Sequence, residues 1–448
     1  MKIYSKEEAS KTILLRSSDL EERIPMQIRD SIKKNFGKEI SPEEVVRMIV
    51  NDVKKRKDLA LTDWTLKLDK VSITQFELKE KDFTKYLLKI NQKLRKALEL
   101  AYKRILLFHK SQPITSWINN DLGGVLGQLI TPIQKIGIYI PGGRAPLFSS
   151  VLMIAIPAIV AGTKEMIFMT PPDKNGDISP IILAACGMIQ NAGIKVRLFK
   201  LGGAQAIAAL AYGTTQVPKV DKIYGPGNIF VSLAKKQVFG TVGIDGIFGP
   251  TEAMIIADET AKPKLIASDL LAQAEHDYLA IPILLTHVKD LIIRVQEELD
   301  IQLTQMEKKD VIEKSINTCG GIIQTSSLED SIQTSNEFAP EHLSLLIKSP
   351  FEVISQIKNA GAVFLGEESF EVLGDYIAGP SHVMPTNGSA RFSSSLSVVD
   401  FVKAINIIYL TKEKSKSLSD YAETLALNEG LTSHANAIVQ RRKNEGGA

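Results

Sequence analysis

The sequence predicts an α/β protein built on parallel sheets, and three observations predict it. From about residue 130 onward, short β-branched runs alternate with helix-like stretches, the pattern of right-handed βαβ units. Gly-rich turns close several of those predicted strands. Before residue 110 the apolar residues fall at helical spacing instead.

In chain order, the first 110 residues read as mostly helical. Ser41 is a candidate N-cap with Pro42 at the first helical position. A long helix is expected over 82–110, with Leu87, Ile90, Leu94, Leu98 and Leu100 on its apolar side. Strands are expected at 136–140, 165–169, 196–201, 222–224 and 253–257, with helices at 179–192 and 204–211 between them. The most apolar run, 151–162, contains Pro157 and is shorter than the ~20 residues a membrane span needs. It predicts a buried helix. A Ser-rich junction (Ser393, Ser394, Ser395, Ser397) precedes a tail of one strand and helices.

At 448 residues the chain exceeds one ordinary core, so two or three domains are expected. Hydrophobic residues make up 44% and charged residues 23%, enough for a packed interior and unlike a disordered chain. The 54 basic and 51 acidic residues nearly cancel to +3, so neither nucleic acid nor a membrane is expected as partner. Short basic clusters at 54–57 and 441–443 read as solvated surface. Cys186 and Cys319 have no metal-like spacing and read as reduced structural thiols. The N-terminus lacks the apolar core of a secretory signal and carries early acids, which points to a cytoplasmic protein.

Three glycine turns follow predicted strands: Pro141-Gly142-Gly143, Gly202-Gly203-Ala204-Gln205 and Gly225-Pro226-Gly227-Asn228. Ligands in open α/β sheets bind beyond the carboxyl ends of strands, where glycine allows close approach of backbone to phosphate. None matches GxGxxG, so each alone is as well explained as a plain turn. Together they are compatible with a nucleotide held in a nonstandard way.

Of six histidines, His109 and His287 lack polar company and are assigned to structure. The others sit beside acids or amides. Gln273 and His276, three apart, can share one helical face and one metal, or simply form a polar helix surface. Glu341-His342 is an adjacent acid and imidazole near an expected helix start, suited to proton transfer near neutral pH. Asp375 and His382 flank a Gly/Pro-rich loop, and Glu429 and His434 lie in the tail. Gln273, His276, Asp375 and His434 would make a mixed nitrogen and oxygen set that suits zinc. Spacing alone reaches a metal-dependent α/β enzyme with a nucleotide, and no further.

The motifs taken together resemble the histidinol dehydrogenase family. The resemblance rests on Tyr139-Ile140-Pro141-Gly142-Gly143, the segment from Gly202 to Ala211, Gly225-Pro226-Gly227-Asn228, and the segment from Ser268 to His276. It continues through Pro340-Glu341-His342-Leu343, Gly374-Asp375-Tyr376, His382-Val383-Met384-Pro385-Thr386 and Leu431-Thr432-Ser433-His434. It implies two Rossmann-like parallel-sheet domains of aldehyde-dehydrogenase-like type, a helical N-terminal part and a small tail domain. The implied boundaries are an arm at 1–30, a discontinuous α/β domain at 31–136 and 250–390, a NAD-binding domain at 137–249, and a tail at 391–448.

The resemblance also implies two NAD-linked oxidations of L-histidinol through the aldehyde to L-histidine, with one zinc ion per subunit. Zinc would be held by Gln273, His276, Asp375 and His434, and NAD would contact Tyr139, Gln205 and Asn228. Glu341 and His342 would transfer protons. Thr251, Gln273, His276, His342, Asp375, His382, Glu429 and His434 would contact substrate. The family's homodimer implies that Glu429 and His434 serve the neighbouring subunit. Phe248, where the family commonly has Ala, Thr251 for Ser, Ser381 for Asn and a longer 171–197 connection depart from the pattern. They leave a paralogous dehydrogenase of another small hydroxy compound as the alternative.

Overall fold

The computed structural model describes residues 1–16, 26–79, 81–142 and 146–445. Residues 17–25 of the expected arm and Gly143 of the first glycine turn lie outside the described residues. The chain divides into two compact units. One comprises Met1–Gln112 with Ile133–Phe401, the other Pro113–Pro132 with Val402–Ala448.

The strands are β1 (Ile3–Ser5), β2 (Trp117–Asn119), β3 (Gly124–Pro132), β4 (Lys135–Tyr139), β5 (Glu165–Thr170), β6 (Lys195–Lys200), β7 (Lys222–Tyr224) and β8 (Gly243–Ile244). They continue with β9 (Glu252–Ala257), β10 (Ile281–Thr286), β11 (Gly321–Gln324), β12 (His342–Leu346), β13 (Ala362–Leu365) and β14 (Val402–Leu410). The larger unit holds two sheets, β6-β5-β4-β7-β8 and β1-β11-β10-β9-β12-β13. All their pairings are parallel. The fold is α/β on parallel sheets, and the five expected strands stand within one residue of β4, β5, β6, β7 and β9.

A parallel sheet covered by helices on both faces needs apolar residues on both faces of each strand. Accordingly all six residues of β9 and all five of β12 are buried. The apolar run forms the helix Ser149–Ala161, whose first ten residues are all buried, and Gly162 at φ 95° ends it in the left-handed region. Ser41 accepts from the Glu44 amide and starts the helix Pro42–Arg56, with acids in the first turn and Lys54, Lys55 and Arg56 in the last. The long helix expected over 82–110 is interrupted. A 3₁₀ turn spans Thr84–Leu88, and a fresh start capped by Asn91 opens Gln92–Lys110. Asn91 accepts from the Leu94 amide at 2.8 Å, so the side chain that caps one helix separates it from the other.

The smaller unit is built on the antiparallel sheet β14-β3-β2. Its helices Lys412–Asn428 and Thr432–Glu445 follow β14, and Arg442 clamps them together through Asp420 and Glu423 at 2.6 Å each. The tail strand is nine residues long and pairs along all of β3. The segment 113–132 therefore folds with the tail.

Candidate active site

Strand direction positions the chemistry. His342 is the first residue of β12, and Thr251 immediately precedes its neighbour β9. The acid–base pair thus stands at the amino edge of the larger sheet, on a strand and not at the helix start expected from Pro340. Ala339, at φ 54°, turns the chain into this strand. The helix Pro263–Ala274 ends just after Gln273, so Gln273 lies in its last turn and His276 in the bend that follows. Asp375 comes from the short helix Glu371–Tyr376, and His382 from the loop after it.

The imidazole of His342 is buried and its nitrogens differ. Nδ1 lies 3.1 Å from the carbonyl oxygen of Glu252, to which it donates. Nε2 is buried without a hydrogen-bond partner, with Asp375 Oδ1 at 3.8 Å. Glu341 and Glu371 approach Nδ1 at 3.7 and 4.0 Å. Burial opposes the imidazolium, but Glu371, Glu341 and Asp375 outweigh it and push His342 up to about 10. Burial pushes Glu341 up to about 7 against the opposing pull of His342, Thr251 and the Glu252 amide. Glu371 rises to about 8 by burial, and the neighbouring imidazolium holds Asp375 below the ordinary carboxylate range despite its burial. Burial lowers both His276 and His382.

Thr251 joins the acid–base pair to the metal candidates. Its hydroxyl lies 2.7 Å from Glu341 Oε2 and 2.6 Å from the amide of Gln273. With the Gln273 amide turned to suit its neighbours, its oxygen accepts at 3.1 Å from the Glu252 N–H and its nitrogen donates to Glu371, while the single Thr251 hydroxyl proton serves either that oxygen or Glu341. His276 and Asp375 act on one another electrostatically, and both act on His382. His382 Nδ1 lies 2.8 Å from the Asp375 carbonyl, and its Nε2 lies 3.4 Å from Ser150 Oγ at the start of the helix after β4. That contact ties the amino edge of one sheet to the carboxyl edge of the other.

Glu371 and Asp269 were not among the residues expected from the sequence. Each lies four residues before a candidate ligand, Asp375 and Gln273, a helical spacing that could have exposed them. Asp269, pushed up to about 6 by burial, acts on Glu371. Among the described residues, Glu341, Glu371 and Asp375 form ion pairs with His342 and with no Lys or Arg. Such a cluster is short of positive charge. No three His, Cys, Asp or Glu side chains among the described residues gather as a metal-binding group. The donor set Gln273, His276 and Asp375 includes an amide and asks for one more ligand. Glu429 and His434 belong to the smaller unit, where both are exposed.

The three nucleotide candidates lie at carboxyl ends in the other sheet. Tyr139 ends β4, Gln205 follows β6 in the helix Gly203–Tyr212, and Asn228 follows β7. Asn228 accepts from the Phe230 and Val231 amides at 3.1 and 3.2 Å and so caps the helix Ile229–Val238. Gln205 is wholly buried, and its Oε1 has no partner. Gly203, at φ 64°, donates its N–H to the Tyr139 hydroxyl at 3.2 Å, and a Cβ on it would stand 2.8 Å from Gln205 Oε1. Gly142 and Gly202 need no cofactor to explain them, since a Cβ on either would meet Pro171 at 2.6 Å. Phe248 is partly buried and packs against the core, its ring 4.6 Å from the buried Lys235 and its carbonyl held by Ser232 at 2.7 Å.

Comparison with known proteins gives the family. Residues 33–442 match the histidinol dehydrogenase family. Histidinol dehydrogenase of Caldanaerobacter subterraneus subsp. tengcongensis is 47% identical over 89% of this chain and 92% of its own. That of Aquifex aeolicus is 45% identical over the same shares. The crystal structure of histidinol dehydrogenase from Elizabethkingia anophelis superposes with a TM-score of 0.89 at 36% identity, covering 100% of this chain and 99% of that one. An acetylating aldehyde dehydrogenase from Geobacillus thermoglucosidasius, 11% identical, shares the fold at a TM-score of 0.50 over 88% of this chain and 99% of its own. From its sequence, its fold and these relatives, the chain belongs to the histidinol dehydrogenase family.

Proposed function

We propose that this enzyme oxidises L-histidinol to L-histidine in two NAD-linked steps, with zinc beside the substrate and His342 and Glu341 moving the protons. The observation that carries the reading is the buried, unpartnered Nε2 of His342. Its Nδ1–H is held by the Glu252 carbonyl, so in the neutral ring Nε2 is the acceptor, 3.8 Å from Asp375 Oδ1.

In the first step the substrate hydroxyl gives its proton to His342 Nε2 as the carbinol C–H bond breaks. In the second, water adds to the aldehyde while Glu341 takes a proton from it, loss of the second C–H hydrogen as hydride gives the carboxylic acid, and its proton passes to solvent to leave the carboxylate. Bound NAD supplies the acceptor for both hydrides. Bound zinc supplies positive charge against the substrate's oxygen and amine. Gln273, His276 and Asp375 would hold the ion, with His434 as the fourth ligand. Its charge beside Asp375 would also relieve the carboxylate field that keeps His342 protonated. Buried polar groups without partners, Gln205 Oε1 above all, support NAD at Tyr139, Gln205 and Asn228. His382 would contact the imidazole end of the substrate, and Thr251 would orient Glu341.

We infer a homodimer in which Glu429 and His434 complete the neighbouring subunit's site. The tail supports this with Ile408, Tyr421 and Leu425, each about 70% exposed, an apolar load that a partner surface would cover. The test is Glu341→Gln on L-histidinol. The variant should release one equivalent of NADH and accumulate the aldehyde, whereas full conversion to histidine would remove Glu341 from the second step.

A further inference from the structure

Asp69 closes the helix Asp58–Asp69, beside the nucleotide candidates, and three features make it costly. A carboxylate at a helix C-terminus faces the negative end of the helix dipole. It is largely buried, and burial alone pushes its carboxyl up to about 6. Among the described residues no Lys or Arg pairs with it, and the neighbouring Lys70 turns back to the Lys67 carbonyl at 2.7 Å. One long hydrogen bond, from Gln205 Nε2 at 3.3 Å, is what it receives. Support of Gln205 would need only a neutral acceptor.

A second observation points to a ligand. The other atom of that same amide, Gln205 Oε1, is buried and unpartnered. Asp69 also acts on the Tyr139 hydroxyl, which takes the Gly203 N–H. One carboxylate, one free amide oxygen and one phenol thus converge at the carboxyl edge of β4 and β6. That set accepts hydroxyl donors and repels phosphate. It lies apart from the acid–base cluster, since β4 and β6 belong to one sheet and His342 opens β12 in the other. The hydride-accepting end of a dinucleotide belongs with His342, so the end near Asp69 is the adenosine.

We propose that Asp69 binds the ribose diol of the adenosine half of NAD and excludes the 2′-phosphate of NADP. This rests on the NAD reading above. A carboxylate takes both hydroxyl protons of a vicinal diol, and a phosphate in place of one would set two anions together in a partly buried site.

The test is calorimetric titration of the wild type and of Asp69→Asn with NAD, NADP and ADP, beside thermal melting of both proteins. Asparagine keeps an acceptor for Gln205 and removes the charge. The expected result is wild-type preference for NAD, with NAD and ADP affinity both weakened about 10- to 100-fold in the variant and the gap to NADP closed. Unchanged NAD affinity and selectivity in a variant that melts like the wild type would overturn the proposal. Weakening for NAD but not ADP would overturn it too, by placing Asp69 at the nicotinamide ribose. Failure of the wild type to bind NAD or NADP at all would sink the cofactor reading, and this proposal with it.

Discussion

His342 depends for its role on which nitrogen is free. The Glu252 carbonyl fixes Nδ1 as donor, so in the neutral ring the buried, unpartnered Nε2 is the nitrogen that the proposed mechanism gives to the substrate. Replacing His342 with Gln keeps a polar side chain of similar reach but removes the base. The expected loss in kcat is about 10²- to 10⁴-fold with NAD affinity unchanged, read by steady-state kinetics and calorimetry. Glu341 brings a pH dependence of its own. Burial raises it to about 7, so below that pH it holds a proton and cannot take one from water. With L-histidinaldehyde as substrate, the rate should climb as pH rises through about 7, and Glu341→Gln should lose that limb. A rate flat between pH 6 and 8 in the wild type would contradict this. At this scale the sequence was informative where a residue pair was adjacent or repeated at helical spacing. It was silent on Asp69, Glu252 and Arg16, because burial and pairing across more than 100 residues leave no local trace.

Among elements, β9 and β12 matter most, because Thr251 and His342 stand where these strands begin. Arg16 braces the first turns of chain into both strands. Its guanidinium pairs with both carboxylate oxygens of Glu252 at 2.5 and 2.9 Å and reaches the Phe338 carbonyl at 2.8 and 3.0 Å. Glu252 itself is wholly buried, and its backbone N–H and C=O bond Glu341 and His342. Replacing Arg16 with Met strands a buried carboxylate, at a cost of about 3–5 kcal/mol in urea denaturation. Adding Glu252→Gln to that variant should return part of the loss, and no recovery would mean that charge pairing is not what Arg16 supplies. Five strands of the parallel sheets, β4 to β7 and β9, were legible as β-branched runs, because burial on both faces demands such runs. The hairpin of β2 and β3 was not, since its residues are half exposed and carry no such pattern. The start of β12 was misjudged because a residue after proline often opens a helix, whereas here parallel pairing with β9 takes it into the sheet.

For the whole molecule, the placing of Glu429 and His434 in the smaller unit makes the proposed sharing of sites testable. If Glu429 and His434 serve a neighbouring subunit, two dead variants should rescue each other. His342→Gln mixed and reassembled with His434→Asn should regain activity, because hybrid dimers then contain one site with every residue intact. Rescue absent from a verified hybrid would place His434 in its own subunit's site. The alternation of strands and helices disclosed the α/β class, but not that 113–132 folds with the tail, which depends on the pairing of β14 along β3. A zinc-assisted double oxidation is tested most directly by the NADH yield per molecule of L-histidinol, before and after chelation and zinc return. Two equivalents of NADH, lost on chelation and restored by zinc, are predicted. A well-folded, zinc-loaded protein that gives no NADH, or that gives two with the metal stripped away, would contradict it.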